Sequence, residues 1–399
     1  MKNLRRFCSL IILLTAPLAL LAVRGGAATP PAKTYRAYVG TYTAKTNSKG
    51  IYEFEFDPAT GKMSAAQVAG ETKDPSWVVV HPNGKFLYSV NETGKASTVS
   101  AFALERESGK LTPLNQVPAL GEDPCYLSFD KTGKFLFVAN YTSGNVAVFP
   151  ILADGKLGEH TGLLRNEGTL GPNKERQEGP HAHWIEPSES NTSVYVADLG
   201  LDRVIKYQFD AVKGTLSGAP IHSDWAPSVT LDPSAKLVPG TGPRHAIFAK
   251  GGMRMYVLGE LQSTVTAFHM IGTDLFTPTS FQRISALPEG FSGRNDAAEI
   301  AMHPNGKFLY TSNRGNDSVA IFKVDRRTGR LQLVADVPTG GKEPRHFAID
   351  PTGHFLLAEN QLSDTIVEFR IDPATGKLTP TGETISVPSP VCITFLRDE

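Results

Sequence analysis

The sequence predicts an all-β fold, a seven-bladed β-propeller closed by pairing of its N- and C-terminal strands in one blade. Four observations carry that expectation. A hairpin unit recurs: residues 133–151, GKFLFVANYTSGNVAVFPI, read as an apolar strand, a polar turn and a second alternating strand, and variants begin at Tyr35, Lys85, Ser193, Met253, Lys307 and His354, making seven copies. A short apolar run precedes each hairpin, starting at Pro75, Pro124, Pro180, Pro243, Ala297, Pro344 and Pro390, at intervals of 46 to 63 residues. A fourth run follows most hairpins after a Thr-Gly-Lys-type turn, as at Thr60, Ser108, Thr328 and Thr375. Four strands per repeat of this length make a propeller blade. Finally, the repeat is out of phase with the chain. The first strand of the seventh unit is the C-terminal PVCITF, whereas its hairpin opens at Tyr35, so the two ends must share one sheet. Such closure removes the free edges of an open array.

Taken in order, the chain begins with Lys2, Arg5 and Arg6, an apolar run over 7–23 and small residues at 25–28, the pattern of a secretory signal peptide over residues 1–28. The run is short for a membrane span and contains Pro17, so no stable membrane insertion is expected after leader removal, and the protein is expected in the periplasm or outside the cell. Residues 35–396 form a single propeller domain, expected to be a monomer, because Gly and Pro are spread through turns rather than gathered in a linker. The whole chain carries 40 basic and 40 acidic residues. Loss of Lys2, Arg5, Arg6 and Arg24 with the leader leaves a net charge near −4 and no basic stripe, which argues against a nucleic-acid partner. Cys125 and Cys392 fall on first strands separated by blade one, beyond the roughly 7 Å that a disulfide spans, and are read as buried free thiols.

In an antiparallel blade the first strand begins where the second ends, so residues after each Pro and residues of each hairpin turn converge on one mouth. The two positions after the Pro slot read Ser76-Trp77, Cys125-Tyr126, His181-Ala182, Arg244-His245, Ala298-Glu299, Arg345-His346 and Val391-Cys392 in blades one to seven. The second strands end at Asn91-Glu92, Asn140-Tyr141, Asp198-Leu199, Gly259-Glu260, Asn313-Arg314, Asn360-Gln361 and Thr41-Tyr42. Apart from Glu92, ionisable groups sit in blades three to six, while Trp77, Tyr126, Tyr141 and Tyr42 occupy the others. This predicts a pocket with a charged wall and an aromatic wall.

Other residues read as scaffold. His346 is expected to pack between blades, and His81 and His303, in HPNGK turns, to face solvent. Asn91, Asn140, Asn313 and Asn360 should bind backbone, and Asp57, Asp210, Asp325 and Asp372 should hold turns. His181 and His183 flank one residue and so share a strand face, a spacing that also suits a metal pair, but the arginines around them are poor company for a metal and none is expected. No nucleophile elbow or glycine-rich phosphate loop is present, and no other cofactor is indicated.

The stretches RQEGPHAHWIEP from Arg176, VYVADLGLDRVIKY from Val194, GTGPRHAIF from Gly240, GELQSTV from Gly259, AAEIAMHPNGKFLYTSNRGNDSVAIF from Ala297 and PRHFAIDPTGHFLLAENQLSD from Pro344 resemble the seven-bladed lactonase propeller family, of the bacterial 6-phosphogluconolactonase and carboxymuconate lactonizing enzyme type. The resemblance implies metal-free lactone chemistry with His181, Arg244, Glu260 and Arg314 as catalytic groups. Ala301 and Asn316 stand where the commoner family pattern has histidines. His183, His245, Glu299, Arg345, Glu92, Trp77 and Tyr126 are the expected substrate-binding residues around them.

Chemically the set suits ring opening: Arg244 and Arg314 offer charged donors to a carboxylate, a phosphate or a forming oxyanion. His181 is placed as general base toward water, with Glu260 to orient it and Glu299 as a second carboxylate. The function expected is therefore an exported lactonase hydrolysing a sugar-derived aldonolactone, a small molecule. Two alternatives stay open, a non-catalytic binding propeller, because hairpins such as FVANYTSGNVAVF also resemble surface-layer repeats, and a muconate-type cycloisomerase. The long joining segments are 155–179, 218–242 and 272–296; the first two, which enter at Pro180 and Pro243, are expected to rim the mouth, with the stretch from Leu163 to Lys174 setting substrate preference.

Overall fold

The computed structural model describes residues 34–218, 234–271, 275–276 and 280–396. The leader read over 1–28 lies outside the described residues. Seven antiparallel sheets follow one another, each built on a four-strand path. Their first strands are Val78–Val80, Pro124–Phe129, Ala182–Pro187, Pro243–Phe248, Asp296–Met302, Pro344–Ile349 and Pro390–Leu396, and they contact one another cyclically, blade one to blade seven and back. The second strands are Phe86–Asn91, Phe135–Asn140, Ser193–Asp198, Arg254–Gly259, Phe308–Arg314, Phe355–Asn360 and, in blade seven, Tyr35–Thr41. Tyr35–Thr41 pairs with Pro390–Leu396 from Arg36↔Leu396 to Thr41↔Pro390, which is the predicted closure.

The second strands are mostly apolar up to their last residues because each is covered on both faces by neighbouring blades; Phe135–Asn140 and Phe355–Asn360 are buried at every residue. Polar staples fix one blade to the next. The hydroxyls of Tyr38, Tyr88, Tyr256 and Tyr310 donate to the carbonyls of Gly109, Gly155, Gly329 and Gly376 in the following blade, at 2.7 to 3.2 Å. Those glycines close the third-to-fourth-strand turns with φ between 74 and 83°, and a Cβ there would strike Arg36, Phe86, Arg254 or Phe308. Only glycine satisfies both demands. The Asn140, Asn313 and Asn360 amides donate to the carbonyls of Ala119, Ala286 and Thr339, where the previous blade's outer strand ends, and Asp57, Asp210, Asp325 and Asp372 accept turn N–H groups, as expected. His81 and His303 do not face solvent. Each ring nitrogen Nε2 lies 2.8 Å from a glycine carbonyl of the next blade, Gly133 and Gly353, because those turns tuck under their neighbours. Cys125 and Cys392 are buried free thiols.

Five first strands open with a register shift against the second strand, between Pro124 and Tyr126, Ala182 and Trp184, Pro243 and His245, Ala297 and Ile300, and Pro344 and His346. A further one falls opposite Gly40 and Thr41 in the closing blade. One extra residue per strand is pushed out of the ladder, re-aiming its side chain. The pairing puts Ala182, not Pro180, in the slot of Pro243 and Pro344. The residue of blade three equivalent to Arg244 and Arg345 is therefore His183, and the alignment anchored on Pro180 is two residues out.

Candidate active site

The bulges sort the ring by depth rather than by side. Residues at the extruded position (Cys125, His183 and Arg345) line a pocket of about 220 Å³ at the mouth, together with Glu92, Tyr141 and Glu260 from the ends of second strands. Residues one step further along (Trp77, Tyr126, Glu299 and His346) line wider cavities below it, the larger of about 700 Å³. Trp77 and Tyr126 stack at 4.3 Å, and the edges of His245 and His346 meet the Trp77 ring at 5.3 Å. The charged and aromatic walls of the prediction are thus two storeys, because neighbouring strand residues point to opposite sides.

Four guanidinium groups gather at the upper pocket. Glu260, 3 % exposed, lies 2.6 Å from Arg176 Nη2, 3.2 Å from Arg244 Nε and 3.2 Å from Arg314 Nη2. Burial pushes its carboxyl up, but Arg314, Arg244 and Arg176 outweigh that and hold it well below the ordinary carboxylate range. Arg345 donates to the Tyr42 hydroxyl at 3.0 Å and lies 5.4 Å above the Tyr42 ring, and Tyr42 in turn donates to Glu92 at 2.8 Å. Arg314 also donates from Nε to the Asp296 carbonyl. Burial and the nearby Arg314 and Arg345 push Arg244 down to about 10, still a cation at neutral pH. Among the described residues the carboxylates lining the pocket are Glu92 and Glu260, against Arg176, Arg314 and Arg345, so positive charge is in surplus and the pocket attracts anions.

His183 is the histidine on the pocket wall. Its Nδ1 is buried with no hydrogen-bond partner, and burial followed by Arg244 holds the ring well below the ordinary histidine range, so the imidazole is neutral and able to accept a proton. His181 stands behind it, outside the pocket lining. It stacks on the Tyr141 ring at 4.5 Å, its Nδ1 bonds the Tyr141 carbonyl at 3.0 Å, and its Nε2 is 3.2 Å from Glu178. Its backbone N–H is held by Asp198. His181 was expected as general base; the bulge brings His183, not His181, into the pocket lining beside the arginines. Arg244, Glu260 and Arg314 come together as expected, and Glu92 and Arg345 join them. His245, Glu299, Trp77 and Tyr126 belong to the storey below. Ala301 lines a lower cavity, while Asn316 bonds Ser318 and Asp336, so neither departure from the family pattern touches the pocket.

Arg176 was missed. It comes from the irregular segment 166–181, which is pinned to the blade-three hairpin by Gly171 N–H to Gly200 O and by Gln177 Nε2 to Leu199 O. Arg176 also reaches the Tyr141 hydroxyl at 3.4 Å. Nothing in the repeat registers a residue of a joining segment; the one signal was that Arg176 opens the first motif quoted above. Leu163, expected in that segment, lies in the outer strand Gly162–Arg165 of blade two. Among the described residues, no cluster of three or more His, Cys, Asp or Glu side chains is assembled to hold a metal ion.

The family model described as "Lactonase, 7-bladed beta-propeller" matches residues 36–395. The chain is 36% identical over 368 residues to the 6-phosphogluconolactonase of Bacillus subtilis, covering 91% of this chain and 99% of that one. It is 33% identical over 313 residues to the 6-phosphogluconolactonase of Formosa agariphila, 77% of this chain and 84% of the other. Among solved structures, the periplasmic gluconolactonase of Pseudomonas aeruginosa superposes with a TM-score of 0.82 at 31% identity, covering 91% of this chain and 99% of that one.

Proposed function

This chain belongs to the seven-bladed lactonase propeller family and is a lactone hydrolase of the 6-phosphogluconolactonase type, and from that premise we propose that it opens a sugar-derived aldonolactone by metal-independent general-base catalysis at the upper pocket. The observation that carries this reading is the neutral His183 imidazole on the pocket wall beside a surplus of guanidinium groups.

The neutral His183 imidazole on the pocket wall takes a proton from water, and the hydroxide equivalent adds to the lactone carbonyl. Arg244 and Arg314 donate to the oxyanion that forms there, in a site from which bulk water is largely excluded. The ring C–O bond then breaks, and the alkoxide leaves with the proton returned from His183. Glu260 holds the guanidinium groups in register and, being charged, does not compete as a proton donor. Arg345 and Arg176 flank the pocket where an anionic arm of the substrate would lie. The names of the relatives favour gluconolactone or its 6-phosphate. The leader read over residues 1–28 supports export, and an exported enzyme meets the unphosphorylated lactone more readily.

The test is acid release followed at constant pH with glucono-δ-lactone and with its 6-phosphate, the spontaneous rate subtracted. Hydrolysis of at least one, lost in His183→Asn, is expected; no rate above buffer with either overturns the reading.

A further inference from the structure

The lower storey holds four buried titratable groups that the reaction above does not use: His245, Glu299, His346 and Glu359. They form a chain. His346 Nδ1 is 2.6 Å from Glu359 Oε2, and its Nε2 is 3.6 Å from Glu299 Oε2. Glu299 Oε2 accepts from His245 Nδ1 at 2.9 Å, and its Oε1 accepts the Ile300 N–H. The chain ends against Arg244. The Nη1 of Arg244 lies 3.4 Å from His245 Nδ1 and 3.3 Å from Nε2. A point so nearly equidistant from both nitrogens and lying in the ring plane would collide with Cε1 between them. The guanidinium nitrogen therefore sits over the imidazole face, while the ring's in-plane Nδ1–H is spent on Glu299.

Resting on the lactonase reading, we propose that His245 and Glu299 are positioning residues for Arg244: the imidazole face sets the plane of the guanidinium that meets the substrate, and the Glu299 carboxylate fixes the rotation of that imidazole. Arg244 has three supports, each from a different direction: Glu260 at Nε, the Ala298 carbonyl at Nη1 and the His245 face. The stack is favourable only over an uncharged ring. His245 is faced by Arg244 on its own strand, His183 from blade three, Glu299 from blade five, and Arg345 and His346 from blade six. Burial and those cations, Arg244 foremost, hold His245 well below its ordinary range. Glu359 and Glu299 outweigh burial at His346 and hold its proton on, so the charge of the chain is parked one residue further from Arg244.

The experiment is a double-mutant cycle of His245→Ala with Arg244→Met, read as kcat and KM for the better lactone. A residue acting through Arg244 should lower kcat by about 30-fold, shift KM by under about threefold, and cost nothing further in the Arg244→Met background. His245→Phe with Glu299→Gln, which keeps a ring face and removes the unpaired carboxylate, should recover about tenfold of the loss. This pair also serves if His245→Ala melts below the assay temperature. Calorimetric titration of 6-phosphogluconate into the same proteins gives a second cycle that needs no turnover. Losses that multiply in both cycles, or a His245→Ala protein with wild-type kcat, overturn the proposal. A wild type that binds the acid non-additively but hydrolyses no lactone would spare the positioning role and sink the lactonase reading, whereas one that neither binds nor hydrolyses overturns both.

Discussion

Replacing Glu260 by Gln tests whether the arginine cluster is held by one carboxylate. Gln keeps the volume and one acceptor oxygen but deletes the charge that faces Arg176, Arg244 and Arg314 within 3.2 Å. Removing one partner of a buried ion pair costs about 3–5 kcal/mol, and the retained oxygen argues for the lower end, about 3 kcal/mol. For a domain of this size that is a fall in Tm of roughly 5 °C. The pH dependence is the sharper signature. The folded carboxyl is held well below its ordinary value, and the unfolded one titrates near 4.3. Its contribution is therefore fully present above about pH 4.3 and is lost only as the pH falls toward the folded value. Calorimetric melts of both proteins from pH 8 to pH 3 should give a gap that is constant down to about pH 5 and narrows below pH 4. Equal Tm values at pH 7, or a gap unchanged at pH 3, would refute the reasoning.

Other outcomes follow from the same geometry. His183→Asn should lower kcat by about 10²- to 10⁴-fold with product binding kept, whereas His181→Asn should cost under tenfold; the reverse order would restore His181 as the base. Because the folded His183 pKa is lowered, its neutral form survives acidification, so the acid limb of kcat/KM for the wild type should fall well below pH 6.5, and a limb at or above that value contradicts the assignment. Arg176→Met should raise KM for the 6-phosphate about tenfold and for the unphosphorylated lactone under threefold; equal effects would mean that Arg176 does not read the anionic arm. Tyr310→Phe should cost about 1–2 kcal/mol by stranding the Gly376 carbonyl, with kcat unchanged, as read by urea denaturation alongside the lactone assay.

The blades were legible because each repeat states its own hairpin, apolar run and glycine turn, so seven imperfect copies vouch for one another. Closure followed from the lone strand left at the C-terminal end and the hairpin at the other that lacks its first strand. Arg244, Glu260, Arg314, Glu92 and Arg345 were legible because a ring built from repeats exposes departures from the repeat. The expected and observed positions of His181 part at the same place. Pro180 lies close to where other blades carry their proline, and a bulge of one residue exchanges which histidine faces the pocket, so an alignment by residue type turned the wrong side chain inward. The apolar register would have corrected it, since Trp184 follows His183 as Tyr126 follows Cys125 and His245 follows Arg244. Separation by depth was invisible for a related reason: proximity along a strand was read as proximity in the pocket. His81 and His303 defeated the solvent reading because a turn that looks exposed on one blade is roofed by the next. Arg176 belongs to no repeat at all.

The sheet shared by Tyr35–Thr41 and Pro390–Leu396 governs how the ring is assembled. Every other blade can form from residues near one another in the chain, but Arg36 meets Leu396 only by closing a loop of roughly 360 residues, which costs about 3 kcal/mol more than closing a ten-residue hairpin. A ribosome delivering this chain presents six complete blades and three strands of the seventh before the last strand arrives. Until then Tyr35–Thr41 offers an unpaired edge, a vacancy that a strand of a second molecule fits as well as the molecule's own. Fidelity of folding thus rests on the last seven-residue strand reaching its berth before another chain does, and slow closure at high concentration would yield exchanged dimers through that one blade.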